Sequence, residues 1–470
     1  DHRHSAGNCK PLNTEVEMRQ VRGKHIVVIG AARSGVAAAC LLQRQGACVF
    51  VTDSHPVDEY FKSRLEEYNI GFEENGHTDK ARGADFAVLS PGVPTEAPLV
   101  QEYIRAGKDL FSEIEVAGWY SKSPVVAVTG SNGKTTVTSW LAHTWKTAKK
   151  DYVLAGNIGY AFSEREDTTT AKSDAILEVS SFQLDHIETF RPHISLLLNI
   201  TADHLDRYQH SFKLYAESKY RITKNQTADD WFIYNYDDPA IQQHVESLKK
   251  NEHTPRLLAF SNTAEISEGA FIRDSNIILR INEEEQVLMP IQELSLSGSH
   301  NLNNGLATAL AARAAEIKNE IIRESLRTFE GVEHRLEHVR TVDGVKYIND
   351  SKATNINAVW YALDSFNVPV ALILGGRDKG NDYTSLIGQI RSKVHTIIAI
   401  GEARSLIEEQ LKPVVPQFET AGTLERAVRL GRKYAKRGEV VLLSPACASF
   451  DMFESYEHRG NEFKKAVNAL

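Results

Sequence analysis

Val125-Val126-Ala127-Val128-Thr129-Gly130-Ser131-Asn132-Gly133-Lys134-Thr135-Thr136, followed by Val137 to Lys149, decides the fold. The apolar run predicts a buried strand, residues 130–136 a loop, and residues 137–149 a helix. A strand feeding a glycine loop that opens a helix suits a phosphate group. Small residues let backbone N–H groups converge on its oxygens, and the helix N-terminus adds partial positive charge. In this reading Gly130, Ser131, Asn132 and Gly133 form the cradle. Lys134 reaches the β- and γ-phosphates of ATP, and Thr135 or Thr136 offers a hydroxyl to Mg2+. The general pattern is Gly-x-x-x-x-Gly-Lys-Ser/Thr. Here Gly130 and Gly133 enclose only Ser131 and Asn132. The competing reading is a glycine turn that carries a lysine by chance, and the strand and helix on either side disfavour it.

Outward from this loop the same alternation recurs. Toward the N-terminus, His25 to Ile29, Ala47 to Thr52 and Asp85 to Ser90 predict strands, with a helix from Gly35 to Gln45. Beyond the loop, Ala175 to Val179 and Ile194 to Asn199 predict strands. The stretch from Trp231 to Leu296 reads as a β-rich insertion, and a helix is expected from Asn301 to Ala315. Strands restart at Val345 to Ile348, Val370 to Leu374, Thr396 to Ile400 and Val440 to Leu443. Such alternation predicts an α/β protein with mostly parallel sheets. Boundaries fall near residues 112 and 331. They delimit a tail (1–20), a Rossmann-like N-terminal domain (21–112), a central P-loop ATPase-like domain (113–331) and a C-terminal Rossmann-like α/β domain (332–470).

The 470 residues have a formal net charge of -8, with 42% hydrophobic and 25% charged residues. A general affinity for nucleic acid is therefore not expected, although a local basic pocket is compatible with an acidic chain. Cys9, Cys40, Cys48 and Cys447 are too scattered for a disulfide framework or a zinc cluster, so a reducing cytoplasm is expected. No apolar run is long enough to span a bilayer, and Asp1 to Gln20 reads as a frayed polar tail without a signal peptide's apolar core.

The shortened loop, with the preceding Thr129, resembles the nucleotide loop of the Mur ligases, which add amino acids to the peptidoglycan precursor. Other segments fit in order: Leu177-Glu178-Val179-Ser180-Ser181-Phe182-Gln183-Leu184, Ala202-Asp203-His204-Leu205-Asp206-Arg207-Tyr208 and Ser299-His300-Asn301-Leu302-Asn303-Asn304. His334-Arg335, Asn349 to Asn355, Gly375 to Gly380 and Leu443 to Asp451 complete the set. The last three segments are most similar to members that add D-glutamate. The resemblance runs from about Gly23 to the C-terminus.

It implies a two-step reaction. The carboxylate of UDP-N-acetylmuramoyl-L-alanine attacks the γ-phosphate of ATP, and the amine of D-glutamate then attacks the acyl phosphate. It also implies roles for individual residues. Glu178 and His204 are ligands of a second Mg2+, although imidazole is an unusual choice for that ion. Lys219, which reads on its own as a solvated helix lysine, aligns with a carbamylated lysine. Only a neutral amine reacts with CO2, so burial or nearby cations would have to favour that form. Asn301 and Asn304, which share a helix face, are placed at the adenine or ribose. Arg335, Asp350 and Lys352 close over ATP, with Asp350 near the ribose and the cations near the phosphates. Thr354, Lys379, Ser449 and Tyr456 are candidates for D-glutamate, with Tyr456 standing where the family commonly has phenylalanine.

The N-terminal run Gly30-Ala31-Ala32-Arg33-Ser34-Gly35, with Asp53 ending the next strand, imitates a dinucleotide fingerprint. Ala32 replaces the middle glycine, whose absence of a side chain lets the backbone approach a pyrophosphate. In the family this domain holds the UDP part of the substrate instead. Arg33, Ser34, Asp53, Ser54, His55 and Ser90 are the expected contacts, with Asn157 and Gln183 from the central domain. A monomer is expected. Alternatives are another Mur ligase, a folylpolyglutamate synthetase-like ligase, and an NAD-dependent dehydrogenase built on the N-terminal domain.

Overall fold

The computed structural model describes residues 19–250, 254–296, 298–378 and 380–470. Most of the expected tail, residues 1–18, and the candidate Lys379 lie outside the described residues. The chain forms three α/β layers that divide into two compact units.

The first unit takes residues 19–124, 155–174 and 181–191. Its sheet comprises β1 (His25–Ile29), β2 (Cys48–Thr52), β3 (Gly71–Glu73), β4 (Phe86–Leu89) and β5 (Leu110–Ser112) in the order β3-β2-β1-β4-β5. Every pairing is parallel. Val27, Val28, Ile29, Ala87 and Val88 are buried, as expected of strands covered on both faces. Strand order reverses between β1 and β4, so Gly30 and Ser90, just past their ends, flank the crevice where such sheets bind ligands.

Two buried glutamates tie later chain to this layer. Glu113 accepts from Ser163 N at 2.5 Å. Glu115 accepts from Glu188 N at 2.9 Å, Thr189 N at 2.9 Å, Phe190 N at 2.8 Å and Trp119 Nε1 at 2.7 Å. A carboxylate out of water needs such donors to offset its lost hydration.

The central sheet comprises β6 (Val125–Thr129), β7 (Tyr152–Gly156), β8 (Asp174–Glu178), β9 (Ile194–Leu197), β10 (Trp231–Asn235), β11 (Arg256–Phe260), β12 (Gly269–Arg273), β13 (Asn276–Ile281) and β14 (Glu284–Pro290). The order is β14-β13-β12-β11-β10-β9-β6-β8-β7. β13 pairs antiparallel with both β12 and β14, whereas β12 pairs parallel with β11. The stretch from Trp231 to Leu296 is therefore not an insertion, because its strands continue the central sheet to one edge. Helices Lys134–Thr147, Ser299–Ala314 and Asn319–Thr328 supply a core in which Trp140, Trp145, Leu306, Leu310 and Leu326 are buried.

The third sheet comprises β15 (Glu337–Val342), β16 (Val345–Asn349), β17 (Val370–Gly375), β18 (Val394–Ile400), β19 (Gln417–Thr420) and β20 (Val440–Leu443), ordered β15-β16-β20-β17-β18-β19. Only β15 pairs antiparallel. Apolar clusters cover both faces. This layer and the central strands β6 and β9 to β14 fall in the second unit. Among the described residues no helix is long and apolar enough to cross a membrane.

Candidate active site

The phosphate loop begins where β6 ends. Gly130 and Gly133 have φ of 152° and 86°, values that favour glycine. The helix starts at Lys134, earlier than expected, directly after Gly133. Backbone and side chains fix the loop against the strand behind it. Ser131 N donates to Asn199 O at 2.9 Å, and Asn132 N donates to Asn199 Oδ1 at 2.8 Å. Ser131 Oγ donates to Thr201 O at 2.8 Å and lies 2.9 Å from Tyr215 Oη. Ser131 and Asn199 thus hold the cradle's shape.

Lys134 Nζ donates to Gly130 O at 2.7 Å and Ser131 O at 2.9 Å. Burial holds its ammonium below the ordinary lysine pKa, while Glu178 and Asp203 oppose that shift. Lys219 lies on the helix Phe212–Tyr220 and is 2% exposed, not solvated. Its Nζ donates to Gly130 O at 3.0 Å and stands 4.6 Å from the Tyr215 ring centroid. Two lysines therefore meet at one carbonyl of the loop.

The third sheet contributes the facing wall. Arg335, Asp350, Asn132, Thr136, Asn301 and His300 line one cavity, together with Tyr361. His300 stacks on Tyr361 at a centroid distance of 4.6 Å. Burial, reinforced by Arg335, lowers the His300 pKa to about 4, so this ring is neutral at pH 7. Asn304 Nδ2 donates to Asn301 Oδ1 at 3.3 Å, confirming their shared face. Thr136 Oγ1 and Arg335 Nε are buried atoms without a protein partner. Asp350 accepts from Leu336 N at 3.2 Å and from Ser444 Oγ at 2.8 Å. Burial pushes its pKa up to about 7 against the opposing effect of Arg335. Burial pushes Lys352 down to about 8, with Glu178 opposing and Arg335 and Lys134 reinforcing. Lys352, Lys134, Arg335 and Glu178 thus share one electrostatic field.

Among the expected metal ligands, Thr135 is buried in the first turn of the helix after the loop and Glu178 is 2% exposed at the end of β8. His204 has φ of 52° and pairs with Asp203 at 3.7 Å. Asp203 also accepts from Asn355 Nδ2 at 3.2 Å, which ties this loop to the third layer. Among the described residues, the compact group of three His, Asp or Glu donors lies elsewhere, at Glu333, His334 and Glu337. Lys464 Nζ already pairs with both of those glutamates.

Thr354 is half-buried and Ser449 is buried. Tyr456 begins the last helix, Tyr456–Asn468, with its ring centroid 5.3 Å from Lys352 Nζ. In the first unit, Asp53 accepts from Ala31 N at 2.7 Å and His55 N at 2.9 Å, so this carboxylate shapes the turn after β1. Arg33 Nη1 donates to Gly159 O, in the segment that carries Asn157. Arg33, Ser54, His55 and Asn157 are exposed, Ser34 is half-buried, and Ser90 and Gln183 are buried. Sequence reasoning did not single out Asn199, His300, Tyr361 or Arg459. His300 lay within a quoted motif but was given no role, and Tyr361 lies on an ordinary amphipathic helix and carried no local signal.

Three family models match the chain: the MurD N-terminal domain over residues 25–98, the Mur ligase middle domain over 128–312, and the Mur ligase, glutamate ligase domain over 334–447. A Salinibacter ruber protein named UDP-N-acetylmuramoylalanine--D-glutamate ligase is 49% identical, covering 96% of this chain and 99% of its own length. A Porphyromonas gingivalis protein of the same name is 46% identical, with 94% and 98% covered. Among solved structures, MurF from Acinetobacter baumannii has a TM-score of 0.60 at 15% identity, with 93% of each chain covered. A pseudomurein peptide ligase type C from Methanothermus fervidus has a TM-score of 0.58 at 18% identity, covering 95% of this chain and all of its own. At those identities the structural likeness speaks for the fold.

Proposed function

We propose a residue-level reading on one premise: the chain belongs to the Mur ligase family and is an ATP-dependent ligase that adds D-glutamate to UDP-N-acetylmuramoyl-L-alanine. It serves peptidoglycan precursor synthesis. In the first step a carboxylate oxygen bonds to the γ-phosphorus and ADP leaves. In the second, the amine of D-glutamate bonds to the acyl carbon, phosphate leaves and the amine loses a proton.

The observation that carries the reading is the cavity lined by Asn132, Thr136, Arg335 and Asp350 beside a loop carbonyl, Gly130 O, on which Lys134 and Lys219 converge. Phosphoryl transfer demands positioning and charge stabilisation above all. Gly130 to Thr136 cradle the phosphates, Lys134 and Lys352 neutralise the transferring group, and Arg335 assists from the third layer. His300, Asn301, Asn304 and Asp350 hold the nucleoside.

The donor set fits Mg2+. Glu178 and the hydroxyls of Thr135 and Thr136 offer the oxygen ligands that this ion prefers, and Thr136 Oγ1 has no protein partner. When bound, Mg2+ neutralises phosphate charge. We assign it to Thr135, Glu178, His204 and Lys219. A carbamate on Lys219 keeps one N–H, so the bond to Gly130 O survives modification while an anionic oxygen donor is added.

Arg33, Ser34, Asp53, Ser54, His55, Ser90, Asn157 and Gln183 are assigned to the UDP part of the substrate, and Thr354, Lys379, Ser449 and Tyr456 to D-glutamate. Boundaries near residues 112 and 331, a monomeric state and a cytoplasmic location complete the proposal. A phosphate-release assay tests it: turnover should need the UDP substrate and D-glutamate together. Lys134→Ala should abolish turnover with its circular dichroism spectrum unchanged. Equal turnover with meso-diaminopimelate or L-lysine would refute the amino-acid assignment.

A further inference from the structure

We propose that Arg459 is a positioning residue for D-glutamate. Its guanidinium holds in register the chain segments that carry Thr354 and Ser449, so the inference rests on the seat proposed above.

Arg459 lies in the first turns of the last helix and is 0% exposed. Nε donates to Ser351 Oγ at 2.9 Å and Nη2 to Ser351 O at 2.8 Å. Nη1 donates to Cys447 O at 3.1 Å and Ala448 O at 3.4 Å. Ser351 Oγ in turn donates to Tyr456 O at 2.8 Å, closing a ring of bonds back to the start of the helix. A third segment presses on the same group. A Cβ on Gly376 would stand 3.2 Å from Nη1 and 2.4 Å from Ala448 O, and Gly376 has φ of 144°. The segments bearing Lys352 and Thr354, Arg377, and Ser449 therefore converge on one side chain.

The hydrogen-bond partners are carbonyls and a hydroxyl, while Asp350 and Asp451 act on the guanidinium through charge alone. Burying a cation without a directly bonded carboxylate is a costly way to gain stability, and an apolar side chain of similar volume would often serve the core better. What a guanidinium adds is a rigid planar fork with fixed donor directions. Here the fork sets the spacing between the loop after β16 and the loop after β20. The neighbouring Ala446 is held at φ of 61°, a conformation that a non-glycine residue keeps only when its surroundings enforce it.

The test is steady-state kinetics on the full chain with each substrate varied in turn, alongside thermal unfolding. Arg459→Lys retains the charge and loses the fork. It should raise KM for D-glutamate roughly tenfold or more, as expected from lost hydrogen bonds to a charged group, with a smaller rise in KM for ATP through Asp350 and Lys352 beside Ser351, and KM for the UDP substrate within about twofold. A purely structural residue would shift all three KM values together, and that result, or an unchanged KM for D-glutamate, overturns the proposal. Should Arg459→Lys not fold, Ser351→Ala removes one acceptor, and an unchanged KM for D-glutamate in that variant is equally decisive. Ser449→Ala and Thr354→Ala separate the two levels. If neither moves KM for D-glutamate, the seat is misplaced and this proposal falls with it. If both raise it and the Arg459 and Ser351 variants do not, only the positioning role is lost.

Discussion

Replacing Gly133 by alanine tests how tightly the phosphate loop is built. The residue stands at φ of 86°, and a Cβ there would lie 2.6 Å from Asn304 Oδ1 and 3.2 Å from Leu198 Cδ1. The left-handed backbone costs an L-residue roughly 1–2 kcal/mol. Forcing a methyl into a filled space costs about 1–3 kcal/mol more. Together they predict a loss of about 2–5 kcal/mol, read by urea unfolding. Asn304 must yield, and its displacement breaks the 3.3 Å bond to Asn301, so KM for ATP should rise at the same time. A double-mutant cycle divides the cost. With Asn304→Ala in the background the 2.6 Å contact disappears and only Leu198 Cδ1 at 3.2 Å has to give slightly, so Gly133→Ala should then cost little more than the backbone share, about 1–2 kcal/mol. A single variant within about 0.5 kcal/mol of the parent, or a penalty unchanged by Asn304→Ala, would refute the reasoning.

Two further outcomes follow from the electrostatics of the same site. Burial lowers the Lys352 pKa to about 8, so the free enzyme loses this cation as pH rises through that value. The kcat/KM for ATP should fall above about pH 8, and Lys352→Arg should remove that basic limb; a wild-type profile flat well beyond that pH contradicts the assignment. Glu178→Gln removes the one carboxylate assigned to Mg2+ and should raise the Mg2+ concentration needed for half-maximal turnover by about tenfold or more; an unchanged Mg2+ requirement would remove Glu178 from the metal site.

Much of the architecture was legible because buried parallel strands read as apolar runs. β6, β16 and β20 follow directly from Val125 to Thr129, Val345 to Ile348 and Val440 to Leu443, with β16 running one residue further. β3 and β5 escaped notice because three residues give no periodicity. β15 escaped because Glu337 to Val342 alternates charged with apolar residues at a sheet edge. The stretch from Gly269 to Pro290 was legible as β-rich, but sheet membership is tertiary. The local turns at Asp274-Ser275 and Asn282-Glu283, all at positive φ, give no hint of the parallel pairing with β11. In the site, the phosphate loop announced itself by composition and context. Lys219 did not, since Tyr215 to Ile222 reads as a polar helix until Gly130 O is seen to receive its amine. Arg459 sits in Tyr456-Glu457-His458-Arg459-Gly460-Asn461-Glu462, which reads as solvent-facing, and only the approach of Ser351 and Cys447 makes it interior.

The dependence of the first unit on chain as far along as Phe190 has a consequence for biosynthesis. A ribosome delivers Glu115 well before the N–H groups of Glu188, Thr189 and Phe190 that donate to it in the interior. At about 5–20 residues per second, that interval lasts roughly 4–15 s. Throughout it Glu115 has the Trp119 indole but not its three backbone donors, and burial short of those donors would cost several kcal/mol. The bonds that bury Glu115 therefore depend on a segment that arrives only after the phosphate loop has been synthesised. A polypeptide ending at Pro124 would leave the nascent layer permanently at that stage, with Glu113 and Glu115 lacking donors supplied by residues 163 and 188–190.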